Sequence, residues 1–222
     1  MSSVSEFLTI DSDVDDGVDV ELEVKRSRFL TRLRRVTSEE TARAVIDEQR
    51  SRFFDARHHC SAFVLGAEGR AARSSDDGEP AGTAGVPMLN VLTSNHLTDV
   101  VAVVTRYFGG IKLGAGGLVR AYSEAVAHAV ATVGTRRVEL CTLLGIDADF
   151  ANIGTLENSL RGAVLPSGVN VTVEEVDWGD RARITVAVPV TATGEFNSFL
   201  SALSAGSLTA HPTGQRWVDR LG

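Results

Sequence analysis

A glycine-rich segment flanked by basic and aromatic residues carries the strongest chemical signal in this sequence. It reads VVTRYFGGIKLGAGGLVRAYSEA, from Val103 to Ala125. A β-branched run ends in this segment, five glycines follow between Gly109 and Gly117, and a helical pattern begins at its end. Such a glycine-rich loop before a helix exposes amide N–H groups and the positive end of the helix dipole. The segment therefore predicts a site for a phosphate or a similar anion.

The side chains around the glycine-rich loop extend this prediction. Two guanidinium groups and one ammonium would hold a phosphate, and two aromatic rings would stack a nucleic-acid base. The predicted anion and nucleic-acid site consists of Arg106, Tyr107, Phe108, Gly109, Gly110, Lys112, Gly114, Gly116, Gly117 and Arg120. The alternative is purely structural, because glycines also permit a tight strand-to-helix turn with close packing.

Two familiar phosphate-binding motifs are absent from the loop. A Walker loop has Lys and then Ser or Thr after its second glycine, whereas Ala115 and Gly116 follow Gly114 here. The dinucleotide-binding fingerprint has a small residue where Val119 stands. We therefore expect neither Walker-type ATP hydrolysis nor dinucleotide binding.

A second polar segment, DDGEPAGTAG, runs from Asp76 to Gly85 and is called the acidic loop here. Asp76, Asp77 and Glu79 are candidate ligands for a divalent cation, or a contact for a basic partner. The alternative is that they hydrogen-bond their own backbone and cap the helix that follows Thr83. The calcium-loop pattern is absent, so no cofactor is assigned beyond this candidate cation.

Three further residues of reactive type, His58, His59 and Cys60, are adjacent in the sequence. Adjacent side chains on a strand point to opposite faces, so the three cannot ligate one metal ion. We expect Cys60 to be a small core residue and one histidine to be a satisfied polar group. No catalytic residue is assigned. Cys60 and Cys141 lie far apart and are predicted to be free thiols of a cytoplasmic protein.

Charge and hydropathy limit the classes of partner. The chain carries a net charge of −7, but residues 1–23 hold eight acidic and no basic side chains. The rest is close to neutral, so charge alone does not demand a nucleic-acid partner. No apolar run is long enough to span a bilayer, and the N-terminus has no apolar signal segment. A membrane partner is therefore not expected.

Hydrophobic periodicity predicts two α+β domains after a flexible acidic leader at residues 1–17. In the first domain, residues 18–134, Val18 to Val24 alternate as a strand. Thr37 with Glu40 predicts a capping box, and Asp99 to Thr105 predicts a central strand buried on both faces. In the second domain, residues 135–222, the pattern predicts the ferredoxin-like order β-α-β-β-α-β.

Four segments together resemble the YigZ/IMPACT family: SRF at Ser27–Phe29, HHCSAFVLG at His58–Gly66, SDDGEPAGTAGVPML at Ser75–Leu89, and the glycine-rich segment. The resemblance covers about residues 18–134. It implies that the first domain has the fold of the second domain of a small-subunit ribosomal protein, a mixed sheet covered by helices. The second half looks like the ferredoxin-like C-terminal domain of bacterial YigZ proteins, which is similar to a late domain of elongation factor G.

The resemblance also implies a kind of function. Eukaryotic IMPACT proteins restrain the kinase response to amino-acid starvation by binding its ribosome-associated activator, with the help of an N-terminal partner-binding domain. This sequence has only the acidic leader in that place. We therefore expect a translation-associated regulatory protein that binds RNA or the ribosome, rather than an enzyme. One alternative is an enzyme acting on a small phosphorylated or nucleotide substrate with a carboxylate-bound divalent metal. The other is a purely protein-binding regulator in which both loops are structural.

Overall fold

The computed structural model describes residues 4–13, 17–179 and 181–220. It divides the chain into an N-terminal unit, residues 7–137, and a C-terminal unit, residues 138–220 with the described residues up to Glu6. The strands are β1 Glu6–Ile10, β2 Gly17–Val24, β3 Ser27–Arg35, β4 His58–Leu65, β5 Ala71–Ser75, β6 Val100–Tyr107, β7 Thr135–Ala148, β8 Thr172–Trp178, β9 Ala182–Pro189 and β10 Ala210–Arg220. The helices are α1 Glu39–Arg52, α2 Gly85–Ser94, α3 Ala115–Val133, α4 Ile153–Arg161 and α5 Thr193–Leu203.

The N-terminal unit is built on a five-stranded sheet in the order β2-β3-β6-β4-β5. Every pairing in this sheet is antiparallel. The sheet is therefore antiparallel and not mixed, which corrects the expectation drawn from the resemblance. The reason is that β6 lies between β3 and β4 and runs antiparallel to both.

The central strand β6 is buried on both faces, as its continuous β-branched run predicts. Its side chains alternate between two cores. Val100, Ala102 and Val104 pack into the larger core, which α3 completes with Tyr122 and its neighbours. Val101 and Val103 pack into a smaller core with residues of α1. A strand between two helix layers needs apolar side chains at every position, and this requirement explains the run.

Helix α1 begins with a capping box one residue later than predicted. Ser38 is the N-cap, and its Oγ accepts a hydrogen bond from Thr41 N at 3.1 Å. The Oγ1 of Thr41 accepts from Ser38 N at 3.2 Å in return. Thr37 and Glu40, the predicted pair, do not form the box. Instead, the hydroxyl of Thr41 accepts the hydrogen bond from the N-cap backbone that a glutamate side chain accepts in the usual capping box.

The acidic leader is not uniformly flexible, because it contains β1. Ile10 is fully buried in the larger core of the N-terminal unit, and Leu8 packs against it. The carbonyl of Leu8 accepts a hydrogen bond from Thr98 N at 2.9 Å. Apolar residues among the acids drive this ordering. Residues 1–3 and 14–16 of the predicted leader lie outside the described residues.

The C-terminal unit confirms the predicted ferredoxin-like order of elements. Strands and helices follow as β7, α4, β8, β9, α5 and β10, and the strands lie side by side as β10-β7-β9-β8. Helices α4 and α5 bury Leu160 and Phe196 in one core with Leu144 and Ile184 of the sheet. Among the described residues, no helix is both long enough and apolar enough to cross a membrane.

Candidate functional site

The glycine-rich loop and the acidic loop contribute to one cleft of about 640 Å³ in the N-terminal unit. The fold brings them together because β6 leads into the first loop, while the second loop connects β5 with α2. The cleft is lined by residues 55–58 before and at the start of β4, Glu79 and Pro80, residues 106–108, residues 112–115 and Leu118. Sequence reasoning gave no role to residues 55–57. They reach the cleft only because β4, which follows them, pairs with β6 in the sheet.

Arg106 and Glu79 form a buried ion pair beside the cleft. Arg106 Nη1 lies 2.6 Å from Glu79 Oε1, and the side chains are 8% and 4% exposed. Tyr122 donates a hydrogen bond from its hydroxyl to the same carboxylate oxygen at 2.8 Å. Arg106 is therefore not the free phosphate-binding guanidinium that the sequence predicts, since Glu79 neutralises its charge.

A chain of hydrogen bonds extends from this ion pair in both directions. Cys60 Sγ lies 3.3 Å from the Tyr122 hydroxyl and 3.0 Å from Asp76 O. On the other side, Ser27 Oγ lies 3.5 Å from Arg106 Nη2 and accepts from Gly109 N at 3.2 Å. The network ties β3, β4, β6 and α3 to both loops. Sequence reasoning missed this network, although the SRF segment and the glycine-rich segment contain its members Ser27, Arg106 and Tyr122.

Burial keeps the two ionisable side chains of this network, Cys60 and Tyr122, in their protonated forms. Burial raises the pKa of the Cys60 thiol to about 12. Burial also raises the pKa of Tyr122 far above its ordinary value. Cys60 is a fully buried free thiol, as predicted. His59 is also the satisfied polar group that the sequence predicts, because it is 6% exposed and its Nε2 lies 3.1 Å from Phe53 O.

Asp76 caps the start of α2, which confirms the structural alternative for this carboxylate. Its Oδ1 accepts hydrogen bonds from Ala84 N at 3.0 Å and Gly85 N at 2.8 Å, and its Oδ2 accepts from Gly82 N at 2.8 Å. Burial raises the pKa of Asp76, but these backbone donors together lower it below its ordinary value. The negative charge also lies favourably at the helix N-terminus.

The three carboxylates of the acidic loop bind separate partners. Asp77 pairs with Arg50 at 2.8 Å and accepts from His59 N at 2.6 Å, while Asp76 and Glu79 bind the groups described above. Within residues 4–13, 17–179 and 181–220, no group of three or more His, Cys, Asp or Glu side chains is arranged to hold a metal ion. The three carboxylates are thus engaged separately in this structure, and a shared cation site on Asp76, Asp77 and Glu79 stays a prediction.

Three glycines of the loop have structural reasons to be glycine. A Cβ on Gly109 would lie 2.0 Å from the carbonyl carbon of Arg26. Gly110 and Gly114 have φ values of 84° and 71°, in the left-handed region. Gly116 is different, because a Cβ there would meet nothing within 4 Å and its φ is not positive. Neither packing nor backbone conformation explains Gly116, which leaves the first turn of α3 open to close approach.

The start of α3 supplies the positive side of the cleft. Gly114 is the N-cap, and as a glycine it has no side chain with which to cap this end of the helix. Gly114 and Ala115 line the cleft, together with the basic side chains of Lys112 and Arg57. The first amide N–H groups of a helix have no partner within it, and the helix dipole adds positive potential. The arrangement can hold an anionic group by backbone donors and two cations.

Of the other residues predicted for the anion site, Tyr107 and Phe108 line the cleft and Arg120 does not. Phe108 is 58% exposed at the cleft, and the Arg106 guanidinium lies 5.7 Å from its ring centroid. Tyr107 lines the cleft but its hydroxyl donates to Asp55 at 2.7 Å. Arg120 is exposed and does not line the cleft, and its Nε donates to Gly116 O at 3.3 Å. The structure thus brings together Phe108, Lys112 and the helix start, while Arg120 lies apart.

Comparison with known proteins identifies the two halves. Residues 25–130 match the Impact N-terminal domain, and residues 146–207 match a domain of unknown function, DUF1949. IMPACT family member YvyE of Bacillus subtilis (strain 168) is 37% identical over 193 residues, covering 87% of this chain and 86% of the relative. IMPACT family member YigZ of Escherichia coli (strain K12) is 38% identical over 188 residues, covering 84% and 89%.

A solved structure agrees with these matches. A crystal structure described as that of a hypothetical protein superposes with a TM-score of 0.59 at 34% identity. It covers 95% of this chain and 98% of the other. The matched domains, the relatives that match over most of their length, and the shared architecture agree, and the chain belongs to the IMPACT family.

Proposed function

We propose that this chain is a translation-associated regulatory protein whose cleft binds the phosphate groups of RNA. The uncapped start of α3, which lies beside Lys112 in the cleft, carries this proposal. The link to translation comes from what the family resemblance implies. The preference for RNA over another anion comes from the combination of phosphate-type donors with an exposed aromatic ring.

The electrostatic contribution differs from that expected from the sequence. Arg106 adds no net charge, because Glu79 pairs with it. The remaining attraction comes from the amide groups at the start of α3, from Lys112 and from Arg57. An anion at a helix N-terminus gains only about 0.3–1 kcal/mol from the dipole at an exposed site. The site therefore suits a polyanion whose neighbouring phosphates add further contacts.

Phe108 gives the cleft a surface for a base. The ring is 58% exposed, so the contact with the Arg106 guanidinium leaves much of the ring accessible to a base. Stacking of a base on an aromatic side chain contributes about 1–3 kcal/mol and tolerates any base sequence. A strand whose phosphate binds at the start of α3 would place a neighbouring base near Phe108. This mode predicts binding with little sequence preference.

The test is titration of a fluorescent single-stranded RNA, and separately of purified ribosomes, at two or more salt concentrations. Binding through phosphates must weaken with salt, by a slope of roughly 0.7–0.9 in log–log terms for each neutralised phosphate. Lys112→Ala should weaken binding and reduce that slope by about one such contact. Arg161→Ala is the matched control, because it removes the same charge from an exposed arginine in the C-terminal unit, paired with Glu157 at 2.7 Å.

Three outcomes would contradict the proposal. They are no measurable binding to RNA or ribosomes, binding that is independent of salt, and equal losses from Lys112→Ala and Arg161→Ala. Retention of a protein partner after nuclease treatment, with no RNA binding, would favour the purely protein-binding regulator instead.

A further inference from the structure

We propose that the outer edge of β5 binds an extended acidic segment of a partner protein, which adds to the sheet of the N-terminal unit as a sixth strand. This surface shares no lining residue with the cleft, so the proposal is independent of RNA binding. Its basis is an open strand edge beside a groove lined by arginines.

Strand β5 forms one edge of the sheet in the N-terminal unit. Strand β4 pairs with it on one side, and among the residues that the structure describes no strand pairs with its other side. Four of its five residues are exposed, and Ala72 is half-buried. Within the described part of the chain, no loop or helix forms a backbone hydrogen bond with residues 71–75. Such an edge offers backbone donors and acceptors to another strand.

A groove of about 270 Å³ lies beside this edge, on the face of the sheet that α1 covers. Arginines line it from both sides, since Arg43 and Arg50 belong to α1 and Arg73 belongs to β5. Asp47 is the acidic residue in the lining. Among the described residues, no carboxylate lies within ion-pair distance of Arg73. The lining therefore favours an anionic occupant.

The ion pairs of the two arginines from α1 are of the weak kind. Arg43 pairs with Glu39 at 2.6 Å and Arg50 with Asp77 at 2.8 Å, and both pairs are exposed to solvent. Exposed ion pairs contribute little to stability, and each guanidinium has five N–H donors, so a ligand carboxylate can share these groups. Ser61 adds a hydroxyl to the lining that can donate to the same carboxylate.

The two faces of β5 determine the pattern of the segment that fits. Arg73 and its partner Phe63 in β4 lie on the face covered by α1. Ala72 lies on the opposite face, where it packs against the larger core. The side chains of an added strand alternate between the same two faces. Acidic residues at every second position therefore lie on the side of Arg73, and apolar residues between them lie on the side of Ala72.

A second copy of this chain fits the edge poorly. Full antiparallel pairing of two β5 strands, each Ala71–Ser75, is centred on Arg73 and places the two guanidinium groups opposite each other. Like charges directly opposite in a sheet are destabilising, and a charged side chain on an edge strand opposes self-association. A segment that carries acidic residues at this position replaces the repulsion by attraction.

The test uses the full chain and a fluorescent synthetic peptide of about nine residues in which glutamate and valine alternate. Anisotropy measures binding, and amide hydrogen exchange reports on β5. The peptide should bind and should protect alternate amides of β5, because an antiparallel strand directs every second N–H to the same side. A peptide of the same composition with its glutamates grouped at one end should bind about tenfold more weakly or less tightly still. Absence of binding, or equal binding of the two peptides, would overturn the proposal.

Charge reversal locates the contact at Arg73. Arg73→Glu should weaken binding of the glutamate peptide about tenfold, because an attractive cross-strand pair becomes a repulsive one. The same variant should bind a peptide of alternating lysine and valine more tightly than the wild type does. Arg161→Glu, at an exposed arginine of the C-terminal unit, is the control and should leave both affinities unchanged. Equal losses in the two variants would mean that net charge alone attracts the peptide, and the proposal would fail.

Two methylated peptides test strand addition directly. One carries an N-methyl group on every glutamate, and the other carries it on every valine. In an added strand, one of these two sets of N–H groups faces β5 and the other faces away. One methylated peptide should therefore lose about tenfold or more in affinity, while the other binds as the parent does. Equal effects of the two methylations would rule out a sixth strand.

Discussion

Arg106 and Glu79 are joined by a 2.6 Å ion pair although they lie 27 residues apart in the sequence, and their side chains are 8% and 4% exposed. Removing two charges from water costs several kcal/mol each, so such a pair holds only when both partners remain. The pair also links the end of β6 to the acidic loop, and both residues line the cleft. Its disruption should therefore affect stability and binding together.

Removing one partner of this ion pair should strongly lower the stability of the protein. Arg106→Met leaves the Glu79 carboxylate buried without its cation, and we expect a loss of about 3–5 kcal/mol in the free energy of unfolding. Urea unfolding followed by circular dichroism measures it. The double variant Arg106→Met with Glu79→Gln removes the stranded charge and should be more stable than Arg106→Met alone. A double variant that is less stable than the single one would contradict this account of the pair.

Two glycines of the glycine-rich segment, one in the loop and one in the first turn of α3, should respond in opposite directions to alanine. Gly109→Ala places a Cβ 2.0 Å from backbone atoms of Arg26, so we expect a loss of about 3 kcal/mol or more. Gly116→Ala lies in open space within a helix and should stabilise the protein by about 0.5–1 kcal/mol. Thermal unfolding of both variants checks this. If Gly116→Ala is stable but weakens RNA binding, close approach of a ligand to the helix start gains support.

Asp76 should stabilise the acidic loop in a pH-dependent manner. Asp76→Ala removes the acceptor for three backbone N–H groups and should cost about 1–2 kcal/mol at neutral pH. The pKa of Asp76 is lowered in the folded state, so this stabilisation is present above the ordinary carboxyl pKa and is lost as the pH falls through the folded value. Unfolding measured from neutral to acidic pH tests the sign.

Asp76→Asn is the control for the pH dependence of Asp76. It keeps one side-chain oxygen as an acceptor but does not titrate. The difference in stability between wild type and Asp76→Asn should therefore shrink towards acidic pH. A difference that stays constant with pH would show that the charge of Asp76 contributes nothing.

Cys60 should make the stability of the protein depend on pH in the alkaline range. Its pKa is raised from 9.0 to about 12 by burial, so the folded thiol stays protonated where the unfolded thiol ionises. The stability it contributes is present below the unfolded value and is lost as the pH rises from about 9 towards 12, amounting to about 1 kcal/mol at pH ~10. Urea unfolding at several alkaline pH values measures this loss. Cys60→Ala should show a shallower decline over this range, and an identical decline would contradict the assignment.

Phe108 and Phe54 offer a matched pair for the binding mode. Both rings are exposed, at 58% and 85%, but only Phe108 lines the cleft. Phe108→Ala should weaken RNA binding by about 1–3 kcal/mol, the contribution of one stacked base. Phe54→Ala should leave the dissociation constant unchanged, which anisotropy titration at fixed salt would show. Equal losses in both variants would point to a general apolar contact instead of a stacked base.

The sequence determined the features that depend on local chemistry. Alternation of side chains predicted the ferredoxin-like order of the C-terminal unit, and a continuous β-branched run predicted the buried strand β6. Turn composition placed both loops, and the segment patterns pointed to the family. Boundaries were less certain, since Ser38 and Thr41 compete with Thr37 and Glu40 for the same capping box. Strand β1 was missed because the eight acidic residues of residues 1–23 outweighed its three apolar side chains, Phe7, Leu8 and Ile10.

Tertiary structure alone decided which charges of the candidate site remain free. Sheet register places Arg106 between Phe29 and His58, and the acidic loop then brings Glu79 onto it. No local pattern encodes a contact between groups 27 residues apart, so a guanidinium predicted to bind phosphate is already paired inside the protein. The same folding leaves Phe108, Lys112 and the start of α3 lining the cleft. The sequence specified the chemical groups, and long-range packing selected those that a ligand can reach.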